Sequence, residues 1–164
     1  MKAVNVTVRR SIAVAAVLIA APVVSSCGVN FGEQTDQVYN PSVGTDNRSG
    51  QVDVLNALIV SGTNGKGTVV AGLVNENQTR ADQLTGITGE GRDAGSQITI
   101  GGPTVIPPGG LLNLASIGGV QIHGGQVVPG NFVTLTFQFA HAQSATLELP
   151  VVPHSGDYAN VPVQ

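Results

Sequence analysis

Residues 58–74 read LIVSGTNGKGTVVAGLV, and the fold turns on how this stretch is taken. An apolar run meets a glycine-rich loop carrying Lys66, and a second apolar run follows. Two structures compete for such a pattern. In one, a strand enters a loop whose backbone N–H groups surround phosphate oxygens, Lys66 adds charge, and Thr68 holds Mg²⁺. A helix must then follow, with its positive N-terminal end on the phosphate. In the other, two strands meet at a tight turn. The residues after the loop favour the turn. Thr68, Val69 and Val70 are β-branched, and Gly72 is a poor helix former. Asn64-Gly65 is a strong hairpin signal, because both central positions of a type I′ turn need φ > 0. The stretch therefore predicts a β-hairpin.

Outward from this hairpin the pattern repeats as short strands with turn residues between them. VDVLNALIV (52–60) and GTVVAGLVN (67–75) form its arms, and LTGIT (84–88) and SQITI (96–100) follow. Segment 101–110, GGPTVIPPGG, cannot be helix interior, because proline removes donors and clashes there. LLNLASI (111–117) and VQI (120–122) are short apolar runs. FVTLTFQF (132–139) alternates, with Val133, Leu135, Phe137 and Phe139 on one face. ATLELPVV (145–152) does the same with Ala145, Leu147, Leu149 and Val151. Period-two alternation marks half-buried antiparallel strands. This many strands in one domain's length predict an all-β protein, an antiparallel β-sandwich at residues 51–153. Residues 154–164 read as a loose C-terminal tail.

The N-terminus points outside the cytoplasm. Lys2, Arg9 and Arg10 precede an uncharged apolar stretch, SIAVAAVLIAAPVV (11–24), and then Ser25, Ser26 and Cys27. A basic start, a short apolar segment and small residues form an export signal, and fourteen residues fall short of the roughly 20 that a membrane span needs. The end of this segment resembles the bacterial lipobox. That resemblance implies cleavage after residue 26, a diacylglyceryl group and further acylation (palmitate) on Cys27, and anchoring on the outer face of the cell membrane. Two acyl chains hold a protein stably where one does not. Cys27 is the only cysteine, so no internal disulfide exists and the odd thiol needs a role. Residues 28–50 are polar and rich in turn formers, and read as a flexible tether in which Val38-Tyr39 is a possible edge strand.

Charge narrows the partners. After the signal, four bases (Arg48, Lys66, Arg80, Arg92) face all ten acids, a net of about −6. This disfavours nucleic acid, which is held by neutralising phosphates. A nucleotide is disfavoured as well. The loop GTNGKGT resembles the nucleotide loop of the folylpolyglutamate synthase and Mur ligase families, but those enzymes are several times longer and have a parallel α/β core.

Two longer segments carry a different resemblance. VVAGLVNENQTRADQLTGITGE is similar to the strand, Asn, polar turn, Asp-x-Leu, strand segment of the periplasmic copper(I) chaperone family. TVIPPGGLLNLASIGGVQIHGGQVVPGNFVTLTFQFAHAQSATLELPVV is similar to that family's second half. The lipobox and tether narrow the resemblance to the actinobacterial lipoprotein branch. It covers roughly residues 52–153 and implies a cupredoxin-like sandwich. The family's copper ligands are His and Met, including a late His-x-Met. Here the only methionine is Met1. The segment near the expected pair reads Ser116-Ile117-Gly118-Gly119-Val120, and Gly95-Ser96-Gln97 stands where the earlier His would fall. No ligand transfers.

The remaining chemistry is sparse. His123, His141 and His154 are the only histidines, and none is spaced as a local chelate. They constitute a metal site only if their loops converge. Glu76, Asp82, Glu90 and Asp93 cluster in sequence without the EF-hand pattern and read as solvated loop residues. No nucleophile motif is present, so neither catalysis nor a cofactor is expected. The sequence predicts a membrane-anchored binding or interaction module of the cell envelope with an envelope protein as partner. The alternative is a copper or other metal chaperone with a rebuilt His-based site.

Overall fold

The computed structural model describes residues 43–116 and 119–163. The signal segment, Cys27 and Val38-Tyr39 lie outside the described residues. The strands are β1 (Thr45–Asn47), β2 (Val52–Ser61), β3 (Lys66–Asn75), β4 (Asp82–Gly89), β5 (Gln97–Ile100), β6 (Val105–Ile106), β7 (Leu111–Asn113), β8 (Val120–His123), β9 (Phe132–Phe139) and β10 (Ala145–Pro153).

The opening stretch is a hairpin. Asn64 and Gly65 have φ of 57° and 72°, and the Lys66 amide donates to the Thr63 carbonyl at 3.2 Å. β3 stands where a phosphate loop would need a helix. Gly65 is required twice over. Its φ is positive, and a Cβ there would lie 2.8 Å from the Gly124 carbonyl oxygen.

The strands form one continuous sheet in the order β5-β8-β3-β2-β10-β9-β4-β6, with β1 on β2 and β7 on β3. The sheet curls into two layers at β10. Its first part, Ala145 to Pro150, runs antiparallel to β9, and Val151 to Pro153 run parallel to β2. A strand that changes partners in this way makes the corner of a sandwich. Between the layers, Val54, Ile59, Val69, Leu73, Val120 and Ile122 meet Leu84, Val133, Leu135, Phe137, Leu147 and Leu149. Phe137 is fully buried, and burying a side chain of this kind contributes roughly 1.5–3 kcal/mol. The alternation read for β9 and β10 matches the observed inward residues.

β2 shows why its own pattern resisted reading. Val52 and Val54 face the main core, but after a register shift between Leu55 and Leu58 so do Ala57 and Ile59. A bulge at Asn56, with φ of 49°, reverses the parity. The bulge is clamped by β1: the Asn56 amide donates to Asp46 Oδ1 at 2.7 Å, and the Gly44 amide donates to Asn56 Oδ1 at 3.1 Å. Strand β1 therefore lies inside the expected tether, before Gly50.

Two other expectations change. β7 stops at Asn113 instead of running to residue 117, because the Asn113 side chain accepts the Ala115 amide at 2.9 Å and turns the chain. The C-terminal tail is not loose. The bulge leaves Leu58 and Val60 on the outer face of β2, and Tyr158, Val161 and Val163 fold back over them with Val70 and Val152. Thr68 Oγ1 ties this strap down by donating to the Pro162 carbonyl at 2.6 Å.

Candidate functional site

Strand register assembles a concave surface on the outer face of β5, β8 and β3. Lys66 lies opposite His123, and His123 opposite Gln97. One row along, Thr68 lies opposite Gln121, and Gln121 opposite Thr99. In β3 and β8 the alternate residues Gly67, Val69, Val120 and Ile122 are buried beneath them, and in β5 Ile98 and Ile100 are partly buried. Lys66, Gln97, Thr99, Gln121 and His123 line a shallow cavity of about 260 Å³. A second cavity of about 390 Å³ adjoins it across His123 and Gln97. Asn64-Gly65, Gly95 and Gly124-Gly125 form much of its wall, and the Gly124 amide donates to the Gly65 carbonyl at 2.9 Å. These loops are glycine-rich because they approach closely: a Cβ on Gly124 would lie 2.5 Å from Ser96 Oγ.

The register separates the three histidines. His123 ends β8 beside Lys66, at the start of β3. His154 follows Pro153, which pairs with Ser61, then Gly67, then Ile122. Three strand spacings put it about 14 Å from His123. His141 lies near the far end of β3. Its amide donates to Asp82 Oδ1, Asp82 pairs with Ile106, and the Ile106 carbonyl accepts from Asn75 Nδ2. The length of β3 separates that end from Lys66, about 30 Å at a strand's rise per residue. The three loops do not converge. Among the described residues no three His, Cys, Asp or Glu side chains gather in a metal-binding group.

The carboxylates read as solvated loop residues divide. Glu76 and Glu90 are exposed, whereas Asp82 and Asp93 are buried. Asp82 Oδ1 accepts the amides of Gln83 (2.7 Å) and His141 (3.1 Å), and Oδ2 accepts that of Ala142 (2.8 Å). Burial alone would raise its pKa, but the three amides and the neighbouring His141 outweigh burial and hold it below the ordinary value. Asp93 Oδ2 accepts the Thr134 amide at 2.9 Å and lies 3.9 Å from Arg92 Nε. Both carboxylates are thus structural clamps. The signal available in the sequence was Asp82-x-Leu84, where an acid opens a strand and can cap the neighbouring loop.

Sequence reasoning named His123, weighed Lys66 only as part of a nucleotide loop, and missed Gln97, Thr99 and Gln121. No spacing rule joins residues on three strands.

No protein-family model matches the chain, and no curated protein matches it. Solved structures do. The apo PCuAC domain from PmoF1 superposes with a TM-score of 0.53 at 17% identity, over 66% of this chain and 99% of that domain. The copper-bound PCuAC domain from PmoF2 gives 0.53 at 18%, over 66% and 98%. The apo PmoF2 PCuAC domain gives 0.51 at 15%, over 69% and 96%. At these identities the likeness establishes a shared fold. It agrees with the cupredoxin-like sandwich expected from the sequence.

Proposed function

We propose that this chain is a metal-handling module of the cell envelope, of copper-chaperone type, that works by binding and transfer without catalysis. The observation that carries the reading is the match of its sandwich to nearly the full length of PCuAC domains, one of them copper-bound. The lipobox-like segment before Cys27 supports attachment to the outer face of the membrane, as in the actinobacterial lipoprotein branch. No helix among the described residues is long and apolar enough to cross a membrane.

The donor set is unlike the thioether-rich one the resemblance implies. Neither Met nor Cys occurs among the described residues, so imidazole is the softest donor they offer. His123 is the histidine on the concave surface, and it stands alone there. A single imidazole makes half a Cu(I) site, which a ligand from a donor or acceptor protein would complete. Ions held this way are held weakly and exchanged easily. The same sparse donor set supports a second reading, an interaction module that binds an envelope partner without metal.

Anaerobic Cu(I) titration separates the two. Under the metal-handling reading the protein takes one equivalent from a loosely held source such as Cu(I)–acetonitrile and yields it to bicinchoninate. His123→Ala abolishes uptake, and His141→Ala leaves it intact. If the wild type takes up no Cu(I), or His123→Ala retains it fully, the metal-handling reading fails and the interaction module remains.

A further inference from the structure

We propose that the concave face of β5, β8 and β3 is a binding site for a small oxyanion, a carboxylate or phosphate group. The inference goes beyond the metal-handling reading and does not depend on it. It rests on the chemistry the register gathers there. Lys66 brings an ammonium, Gln97 and Gln121 bring amides, Thr99 a hydroxyl and His123 an imidazole. Every one of these polar side chains can donate a hydrogen bond. None of the residues lining either cavity carries a carboxylate, although the chain has ten acids and only seven bases. Lys66 forms no ion pair among the described residues, where the ion pairs are made by Arg48 and Arg92.

The pairing sets an ammonium beside an imidazole. Lys66 and His123 stand directly opposite on adjacent antiparallel strands, outward on the same face. Directly opposed side chains are neighbours at about 5 Å. An oxyanion held between them accepts a charge-assisted hydrogen bond from the ammonium, the stronger kind, and a further hydrogen bond from the imidazole N–H. Gln97 and Thr99 then supply neutral donors from the third strand. Strands and a tight hairpin hold all of these Cα positions, so binding orders side chains and not backbone. The cavity of about 260 Å³ lies just below the usual range for ligand sites, which suits one acid group on a small body.

The test is isothermal titration of the full-length protein, stripped of metal with EDTA, at low ionic strength. The probes are succinate, inorganic phosphate and choline. Metal-free protein keeps this result separate from the copper titration. One succinate or phosphate per chain is expected, and the tighter of the two identifies the source of the oxyanion. Lys66→Gln should weaken binding by about tenfold or more, the worth of a hydrogen bond to a charged group, and His123→Gln should weaken it less. Arg80→Gln, an exposed cation change on the β3–β4 loop, should leave it unchanged. Circular dichroism confirms that each variant is folded. Absence of saturable binding by both anions overturns the proposal. So does equal loss in Lys66→Gln and Arg80→Gln, or choline binding as well as succinate.

Discussion

Removing the Asp82 carboxylate tests how the far end of the sandwich is closed. Asp82 is 5% exposed and accepts three backbone amides, from Gln83, His141 and Ala142. Two of these begin the loop that joins β9 to β10. A hydrogen bond to a charged group contributes about 1.5–3 kcal/mol, but the amides of an exposed loop recover part of that from water. Asp82→Ala should therefore cost about 3 kcal/mol in total. For a domain of this size that is about 12 °C in Tm. Asp82→Asn keeps one oxygen, which can still take Gln83 and His141, and turns an N–H toward Ala142. It should cost about half as much, near 1.5 kcal/mol. The pH dependence has a definite sign. The folded-state pKa lies below its ordinary value of 3.8, so the stabilisation is complete above that value and is lost as pH falls through the folded pKa. The gap between wild type and Asp82→Ala should thus be constant from pH 7 to 5 and narrow below 3.8. Urea unfolding followed by circular dichroism, repeated across this range, measures it. A loss under about 1 kcal/mol at pH 7, or a gap that stays constant or widens in acid, would refute the clamp.

Asn75 plays a similar part in neutral form. It is buried, and its Nδ2 donates toward the carbonyls of Arg80, Ile106 and Pro107 at 2.8, 3.4 and 3.2 Å. Asn75→Ala should cost about 2 kcal/mol in urea unfolding and speed hydrogen exchange in residues 76–81. Truncation after residue 157 removes Tyr158, Val161 and Val163 from Leu58, Val60 and Val152. That should cost about 3 kcal/mol and raise hydrophobic-dye binding above that of the intact chain. Cys27→Ser should release the protein from the membrane fraction. Fractionation with membrane at the mature mass would show that lipid is not the anchor.

The fold was legible wherever a segment's own residues specify its state. Asn64-Gly65 can supply two positive φ angles, and β9 and β10 alternate because one face meets the core along their whole length. The misreadings come from side-chain-to-backbone bonds and from tertiary cover. Asn113 ends β7 by accepting hydrogen bonds from Ala115 and Ser116, which an apolar count over 111–117 does not register. Leu58 and Val60 look like a buried run beside Ile59. Only the bulge at Asn56 and the returning strap show that they belong to a second apolar cluster.

The site was less legible for a topological reason. Thr68 is polar and stands on the outer face of a hairpin, yet it is fully buried because Pro162, ninety-four positions later, lies over it. Lys66, His123 and Gln97 come from three strands whose order in the sheet differs from their order in the chain. Residue type alone marks them as surface groups, and only the register makes them neighbours. The same register works against the three-histidine site. The histidines follow one another along the last third of the sequence, but antiparallel strands carry the chain from one end of the sandwich to the other between His123 and His141. Under the metal-handling reading, an ion would therefore meet one of these imidazoles at a time. Single substitutions at His123 and His141 consequently discriminate between sites, where a triple substitution would only report that histidine matters.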